Sequence, residues 1–333
     1  MRLHLNENTA GCSPAVLDAI RQLGRCEAAF YPDYDLALDA VSEYFGVPVD
    51  HLLLTNGLDE GILAAAVAAC RDHSMGVPEA VSVVPAFDEY EICTTAAGGR
   101  IVNVPLGDDL DLSDEDVRTA LTPRTRIVFL ANPHNPSGRA IPLDTLRDLA
   151  RDVMPAIFFV DEAYADFAGE TLIHPDTFER FPNLVVGRTF SKAYGLAGLR
   201  VGALVGSPLT LAPMKRVVPP YSVNAWAAAA LPVAIADQDY RAWYLEQAAA
   251  SRALLDFACA RLELRTWPSV ANFVLIRVDD AARVVRGLAE RGVRVRDRSA
   301  DPGCGQCIRM TAGIVEDTQR AIAALEEVLC AAR

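Results

Sequence analysis

Ile127-Val128-Phe129-Leu130-Ala131 and Ala156-Ile157-Phe158-Phe159-Val160 are two runs of five apolar residues, followed by Asn132-Pro133 and by Asp161-Glu162. A strand with one wet face alternates apolar and polar side chains, so runs apolar at every position must be covered on both faces. Further runs at 52–54, 80–84, 101–104, 184–186 and 201–205 alternate with helical stretches such as 59–71, 113–120 and 142–152. The pattern predicts an α/β fold with a mostly parallel central sheet between helices. Near the start, Ser13-Pro14 supplies an N-cap and a first helical residue for a helix over AVLDAIRQL. Beyond about residue 225 the texture changes to a long Ala-rich helical stretch, then FVLIRV, a helix at 280–291, VRVR, CIRMT and a last helix at 316–331. This reads as a smaller α+β domain completed by the N-terminal helix. The expected division is 30–240 for the large domain, with 1–29 and 241–333 forming the small one.

The chain has 333 residues, enough for both units, and its 51% hydrophobic content supports sizeable cores. A net charge of −13 repels phosphate backbones and anionic headgroups, which disfavours nucleic-acid and membrane partners. No apolar run reaches the length of a membrane span, and MRLHLNENT lacks the features of a secretion signal, so a cytoplasmic protein is expected. The eight cysteines are scattered and read as reduced thiols. Cys304 and Cys307 alone have C-x-x-C spacing, with neither a second pair nor a nearby His, and no metal site is expected.

Four polar segments fall at strand ends or in loops, where open α/β sheets bind ligands. Asp161 ends a buried strand, where an unpaired carboxylate is costly. A protonated pyridine nitrogen would compensate it, as in enzymes of pyridoxal 5′-phosphate (PLP), although capping the next helix is an equal alternative. In Arg188-Thr189-Phe190-Ser191-Lys192, followed by Arg200, an amine lies among small, hydroxylic and cationic residues. That setting suits an imine to an aldehyde beside a phosphate; the bland reading is a solvated lysine near a Gly-rich loop. Asn132-Pro133-His134-Asn135-Pro136-Ser137-Gly138 forms an extended loop with free amides, or an ordinary Asn/Pro turn. Thr55-Asn56-Gly57-Leu58-Asp59-Glu60-Gly61 leads into a helix whose first N–H groups make an anion site, as any capped helix start can.

Together these segments resemble the fold-type I PLP aminotransferases of class I/II, and most closely the histidinol-phosphate aminotransferase group. The resemblance runs from Asn6 to Arg309 through NENT, FYPD, TNGLDE, PAFDEY, NPHNPSG, VDEAYADF, RTFSKAYGLAGLRVG and IRMTAG, in that order. It implies an aspartate-aminotransferase-like fold with a large PLP-binding domain. By the resemblance, Lys192 carries the cofactor and moves the proton between the substrate Cα and the cofactor. Asp161 pairs the pyridine nitrogen, while Asn135 and Tyr164 bond the phenolic oxygen. Thr189, Ser191, Arg200 and the backbone at Gly57, Leu58 and Asp59 hold the phosphate. Phe87 stacks on the ring, or is a core aromatic, with Tyr90 as a second stacking candidate near the substrate. Tyr31 reaches the cofactor phosphate of a second copy of the chain, which implies a homodimer. Arg309 binds the substrate carboxylate, Arg296 the substrate phosphate, and Asn8 lies with them, although a solvated basic strand over 294–298 is the alternative for Arg296.

Three departures bear on the substrate: NENT has no Pro after its second Asn, FYPD continues as Tyr34-Asp35, and the segment between Arg296 and Arg309 contains PGCGQC. The expected reaction is transamination of histidinol phosphate with 2-oxoglutarate, or of another amino acid such as an aromatic one. The alternatives are a decarboxylase or lyase resembling threonine-phosphate decarboxylase, and a non-catalytic PLP-binding module. A nicotinamide-dependent dehydrogenase is disfavoured because no G-x-G-x-x-G joins a first strand to a helix.

Overall fold

The computed structural model describes residues 1–330; the end of the last expected helix and of the small domain, 331–333, lies outside the described residues. Seven strands form the larger sheet: β1 (Leu52–Thr55), β2 (Glu79–Val84), β3 (Arg100–Pro105), β4 (Thr125–Ala131), β5 (Ile157–Asp161), β6 (Leu184–Thr189) and β7 (Gly202–Gly206). Their order is β1-β7-β6-β5-β4-β2-β3, parallel from β3 to β6, with β7 antiparallel to both of its neighbours. The all-apolar runs are the central strands: Phe158, Phe159 and Val160 of β5 are fully buried. Phe158 and Val160 face one core layer and Phe159 the opposite one, each side chain contributing about 1.5–3 kcal/mol of burial.

Register decides where the polar segments emerge. Ala131 of β4 pairs with Asp161 of β5, and Asp161 with Gly187 of β6, so these strands deliver their following loops to one edge. At Gly187 an added Cβ would stand 2.8 Å from Leu58 and 2.9 Å from Phe159, so a glycine lets the helix Gly57–Ala69 lie close against the sheet.

A second sheet contains β8 (Arg265–Thr266), β9 (Phe273–Arg277), β10 (Arg296–Asp297) and β11 (Cys307–Thr311) in the order β10-β11-β9-β8, all antiparallel. The helices Ala281–Glu290 and Val315–Cys330 bury Val284, Leu288, Ala321 and Leu325 against it. The N-terminal residues divide between the two bodies. Leu3 is buried in the core of the small sheet, donating its N–H to Arg294 and accepting from that of Thr311. The helix Pro14–Gln22, expected with the small domain, instead packs on Ala225–Ala236 and buries Val16 in the core of the large sheet. The reason is tertiary, not local. Ser13 caps it and Pro14 opens it as the sequence predicts, but its apolar face meets Ala227, Ala230 and Leu231, small enough for close helix contact.

Candidate active site

A cavity of about 390 Å³ lies between the C-terminal edge of the large sheet, β10–β11, and the segment His4–Glu7. Three larger-scale placements define it. Asp161 comes from the end of β5, Lys192 from the loop after β6, and Arg309 from β11.

Asp161 is buried, and both of its oxygens are held: Oδ1 accepts from the Ala163 N–H at 2.9 Å and Oδ2 from the Tyr90 hydroxyl at 2.7 Å. Burial pushes its carboxyl up from the ordinary range, opposed by the hydrogen bonds from Tyr90 and Ala163 and by nearby Lys192. Tyr90, considered from sequence as a substrate neighbour or ring stacker, is fully buried and directs its hydroxyl at the acid. Phe87 lines the cavity and is 37% exposed, which leaves ring surface for a ligand.

The other end of the cavity gathers a helix start, two hydroxyls and an arginine. Gly57 opens a 13-residue helix with φ +75°, and a Cβ there would come within 2.4 Å of the Arg200 guanidinium. Leu58 and Asp59 follow in the first turn, and Thr189, Ser191 and Arg200 line the same space. Arg200, itself at φ +57°, donates to Asp59 Oδ2 at 2.9 Å and to the Ala197 carbonyl at 3.2 Å. Such left-handed backbone at a bulky residue is concentrated at functional sites. Thr189 Oγ1 accepts from the Ser191 N–H at 3.2 Å, which sets the turn into Lys192. The Lys192 amine donates to the Leu5 carbonyl at 2.9 Å.

On the opposite wall Arg309 is buried, donating from one nitrogen to Asn135 Oδ1 at 2.5 Å and from another to the His4 carbonyl at 3.0 Å. Its Nε has no partner among the described residues, and desolvation lowers the guanidinium from its ordinary value to about 10. Arg296 of β10 lies directly opposite Arg309 in register and also lines the cavity. Tyr164 accepts from Asn6 Nδ2 at 2.9 Å and packs edge-on against Phe273.

A lysine amine, a buried carboxylate, a helix start and an arginine pair face one space, and the chain that carries them is similar to known proteins along its whole length. The model of the aminotransferase class I and II family matches residues 1–325. The chain belongs to the class I and II aminotransferases. This aminotransferase is 38% identical to histidinol-phosphate aminotransferase 2 of Ralstonia nicotianae, across the whole chain and 89% of that relative. It is 34% identical to histidinol-phosphate aminotransferase of Methanosarcina barkeri, over 98% of the chain and 88% of that relative. Among solved structures it superimposes on histidinol-phosphate aminotransferase from Sinorhizobium meliloti in complex with pyridoxal-5′-phosphate. That match has TM-score 0.87 and 27% identity, covering 100% of this chain and 91% of the other.

Two expected site residues lie apart from the cavity of the aminotransferase. Asn8 donates its amide to the Ala193 carbonyl at 3.1 Å, so its side chain braces the lysine loop. Tyr31 is 79% exposed and stacks on Tyr221 with ring centroids 4.4 Å apart. Other residues of the cavity wall were not expected there. Arg298, read from sequence as part of a solvated basic strand, is instead buried, lines the space, pairs with Asp301 and donates to the Ala86 carbonyl. Its signal was the acid three residues on, which separates it from exposed Arg294. His4, Leu5 and Glu7 form the rim, held in place by Asn6, whose φ of +55° asparagine tolerates and whose N–H donates to Thr311 Oγ1. Cys304 and Cys307 are buried with Leu110, Trp267 and Leu275, away from the cavity. No helix among the described residues is long and apolar enough to cross a membrane.

Proposed function

We propose that the chain is a PLP-dependent transaminase of a phosphorylated amino substrate, histidinol phosphate, with 2-oxoglutarate as amino acceptor. The observation that carries this reading is the Arg296–Arg309 pair, held in register on one wall of the space that Lys192 and Asp161 face from the other. The residues fit the cofactor. Asp161 is a buried acid able to match a pyridinium, and Gly57 to Asp59 with Thr189, Ser191 and Arg200 form a cradle for its phosphate, which a side chain at position 57 would fill. When bound, PLP supplies the electron sink that makes a substrate Cα proton removable.

The rest is done by the chain. Lys192 would hold the cofactor through its amine, and that amine, when free, is placed to act as the base toward the substrate Cα proton. Asp161 would keep the cofactor's ring nitrogen protonated, and Phe87, Asn135 and Tyr164, which line the same space, would hold its ring. Arg309 grips the carboxylate of 2-oxoglutarate through two parallel hydrogen bonds, fixing which Cα bond faces the base. Histidinol phosphate has no carboxylate, so its phosphate falls to Arg296, with Arg298 beside it. Asn8 supports this space from behind the lysine loop. We read the active form as a cytoplasmic homodimer in which exposed Tyr31 reaches the phosphate in the partner site. We also read 30–240 as the cofactor-binding domain, and 241 onward with the N-terminal strand segment as the small one.

Histidinol phosphate alone should abolish the absorbance of the lysine-bound cofactor, and 2-oxoglutarate should restore it. A band unmoved by histidinol phosphate, aromatic amino acids and glutamate alike, or release of carbon dioxide from a phosphorylated amino acid, would overturn the proposal.

A further inference from the structure

We infer that Tyr90, at the cavity wall, is a positioning residue for the cofactor: its hydroxyl holds and aims the Asp161 carboxylate. The inference rests on the reading of Asp161 as the partner of the ring nitrogen. Tyr90 is the second residue of the helix Glu89–Ala96, and its N–H donates to the Phe87 carbonyl at 3.2 Å, so the loop that presents Phe87 also fixes the phenol. Its ring lies parallel to Phe129 of β4, with centroids 5.0 Å apart and planes 2° from parallel, while Phe87 meets it edge-on at 6.0 Å. The ring therefore has little freedom to turn.

The hydroxyl donates to Asp161 Oδ2 at 2.7 Å. A phenol carries one proton to donate, and a carboxylate is acceptor-only, so the direction of this bond is fixed while the acid is ionised. A phenol pushed well above its ordinary range by burial, as here, remains protonated and available for that purpose. Asp161 also faces the Ala163 N–H through Oδ1, and each oxygen retains a lone pair. Two fixed donors at right positions leave the carboxylate one orientation in which to meet a third, the pyridinium. Removing the hydroxyl leaves the buried acid with one donor fewer.

Tyr90→Phe keeps the ring and deletes only the donor. The test measures cofactor dissociation constants of the apo-proteins, together with kcat and KM for the amino donor. In the wild-type background the substitution should weaken PLP binding roughly tenfold or more and lower kcat, with KM for the amino donor changed by less than about twofold. In an Asp161→Ala background the same substitution should change PLP affinity by less than about twofold, because its effect passes through the acid. Equal losses in both backgrounds, or a raised donor KM at unchanged kcat, would overturn the inference. So would unchanged PLP affinity in Tyr90→Phe. Apo-protein melting temperatures separate an unfolded variant from a folded one with a misaimed acid, and Tyr90→His offers a second donor that should recover part of the affinity. Borohydride reduction of wild-type holoenzyme separates the layers of the argument. A label absent from Lys192 would sink the functional reading itself, whereas a labelled Lys192 with an indifferent Tyr90→Phe would sink only the role of the tyrosine.

Discussion

On the large-sheet wall of the cleft, Asp161 and Thr189 are buried and each accepts hydrogen bonds from neighbouring protein groups; on the small-sheet wall, Arg296 is exposed and buried Arg309 retains an Nε without a partner among the described residues. The first wall hangs from the ends of three adjacent parallel strands in continuous register, Ala131, Asp161 and Gly187. The second hangs from the two-residue strand β10 and from β11. A ligand that never leaves can be met by a rigid, satisfied wall. One that enters and departs each cycle needs donors whose pairing is completed only when it arrives, and the difference between the walls fits a resident cofactor on one side and exchanging substrates on the other.

Removing a group from the first wall should be the more damaging. Lys192→Ala should lower kcat by about a hundred- to ten-thousand-fold, the range for loss of a positioned proton-transfer group, and should abolish borohydride labelling at that position. Single-turnover absorbance with histidinol phosphate is the measurement. Full turnover without this amine would end the assignment. On the second wall, Arg309→Lys keeps the charge but loses the planar fork, and should reduce kcat/KM for 2-oxoglutarate roughly 10- to 100-fold. The effect on histidinol phosphate, which has no carboxylate, should be smaller. Equal losses for both substrates would mean that Arg309 shapes the wall rather than recognising the acid, and the contrast drawn above would fail on that side.

The central strands were legible because both-face apolarity has one structural solution, and Asp161 and Lys192 were legible because each sits next to such a run in a setting unfavourable to it. The Pro14–Gln22 helix shows the limit. Its cap and its first proline are local signals, readable from Ser13-Pro14, but its packing partner is chosen by the small side chains of Ala225–Ala236, more than two hundred positions away. Arg298 and Asn8 illustrate the same gap at the site. Period-two alternation groups Arg294, Arg296 and Arg298 on one face, yet β10 ends at Asp297 and the chain turns, burying Arg298 against Asp301. The amide of Asn8 serves a carbonyl 185 positions distant, which no spacing rule reports.

The rigidity of the first wall can be titrated through His134. This imidazole is buried in the loop after β4, with Nε2 2.8 Å from the Pro85 carbonyl and Nδ1 2.8 Å from Ser137 Oγ. A carbonyl only accepts, so Nε2 carries the proton and Nδ1 accepts from the serine, and the neutral ring ties the Asn135 loop to the segment bearing Phe87. Burial lowers its pKa from the ordinary 6.5 to about 4, with the charge of Arg298 acting in the same direction and the bond to Pro85 opposing. As pH falls through that window the unfolded chain takes up a proton that the native protein refuses. Stability is therefore complete above the unfolded value and is lost as pH drops from 6.5 toward 4, by at most about 3 kcal/mol. His134→Gln can donate to Pro85 and accept from Ser137 without titrating. Near neutrality it should cost about 1 kcal/mol of imperfect fit, and its melting temperature should decline less steeply with acid than that of the wild type. Parallel declines would show that the loop is not held by a neutral imidazole, and that the fixity of this wall comes from strand register alone.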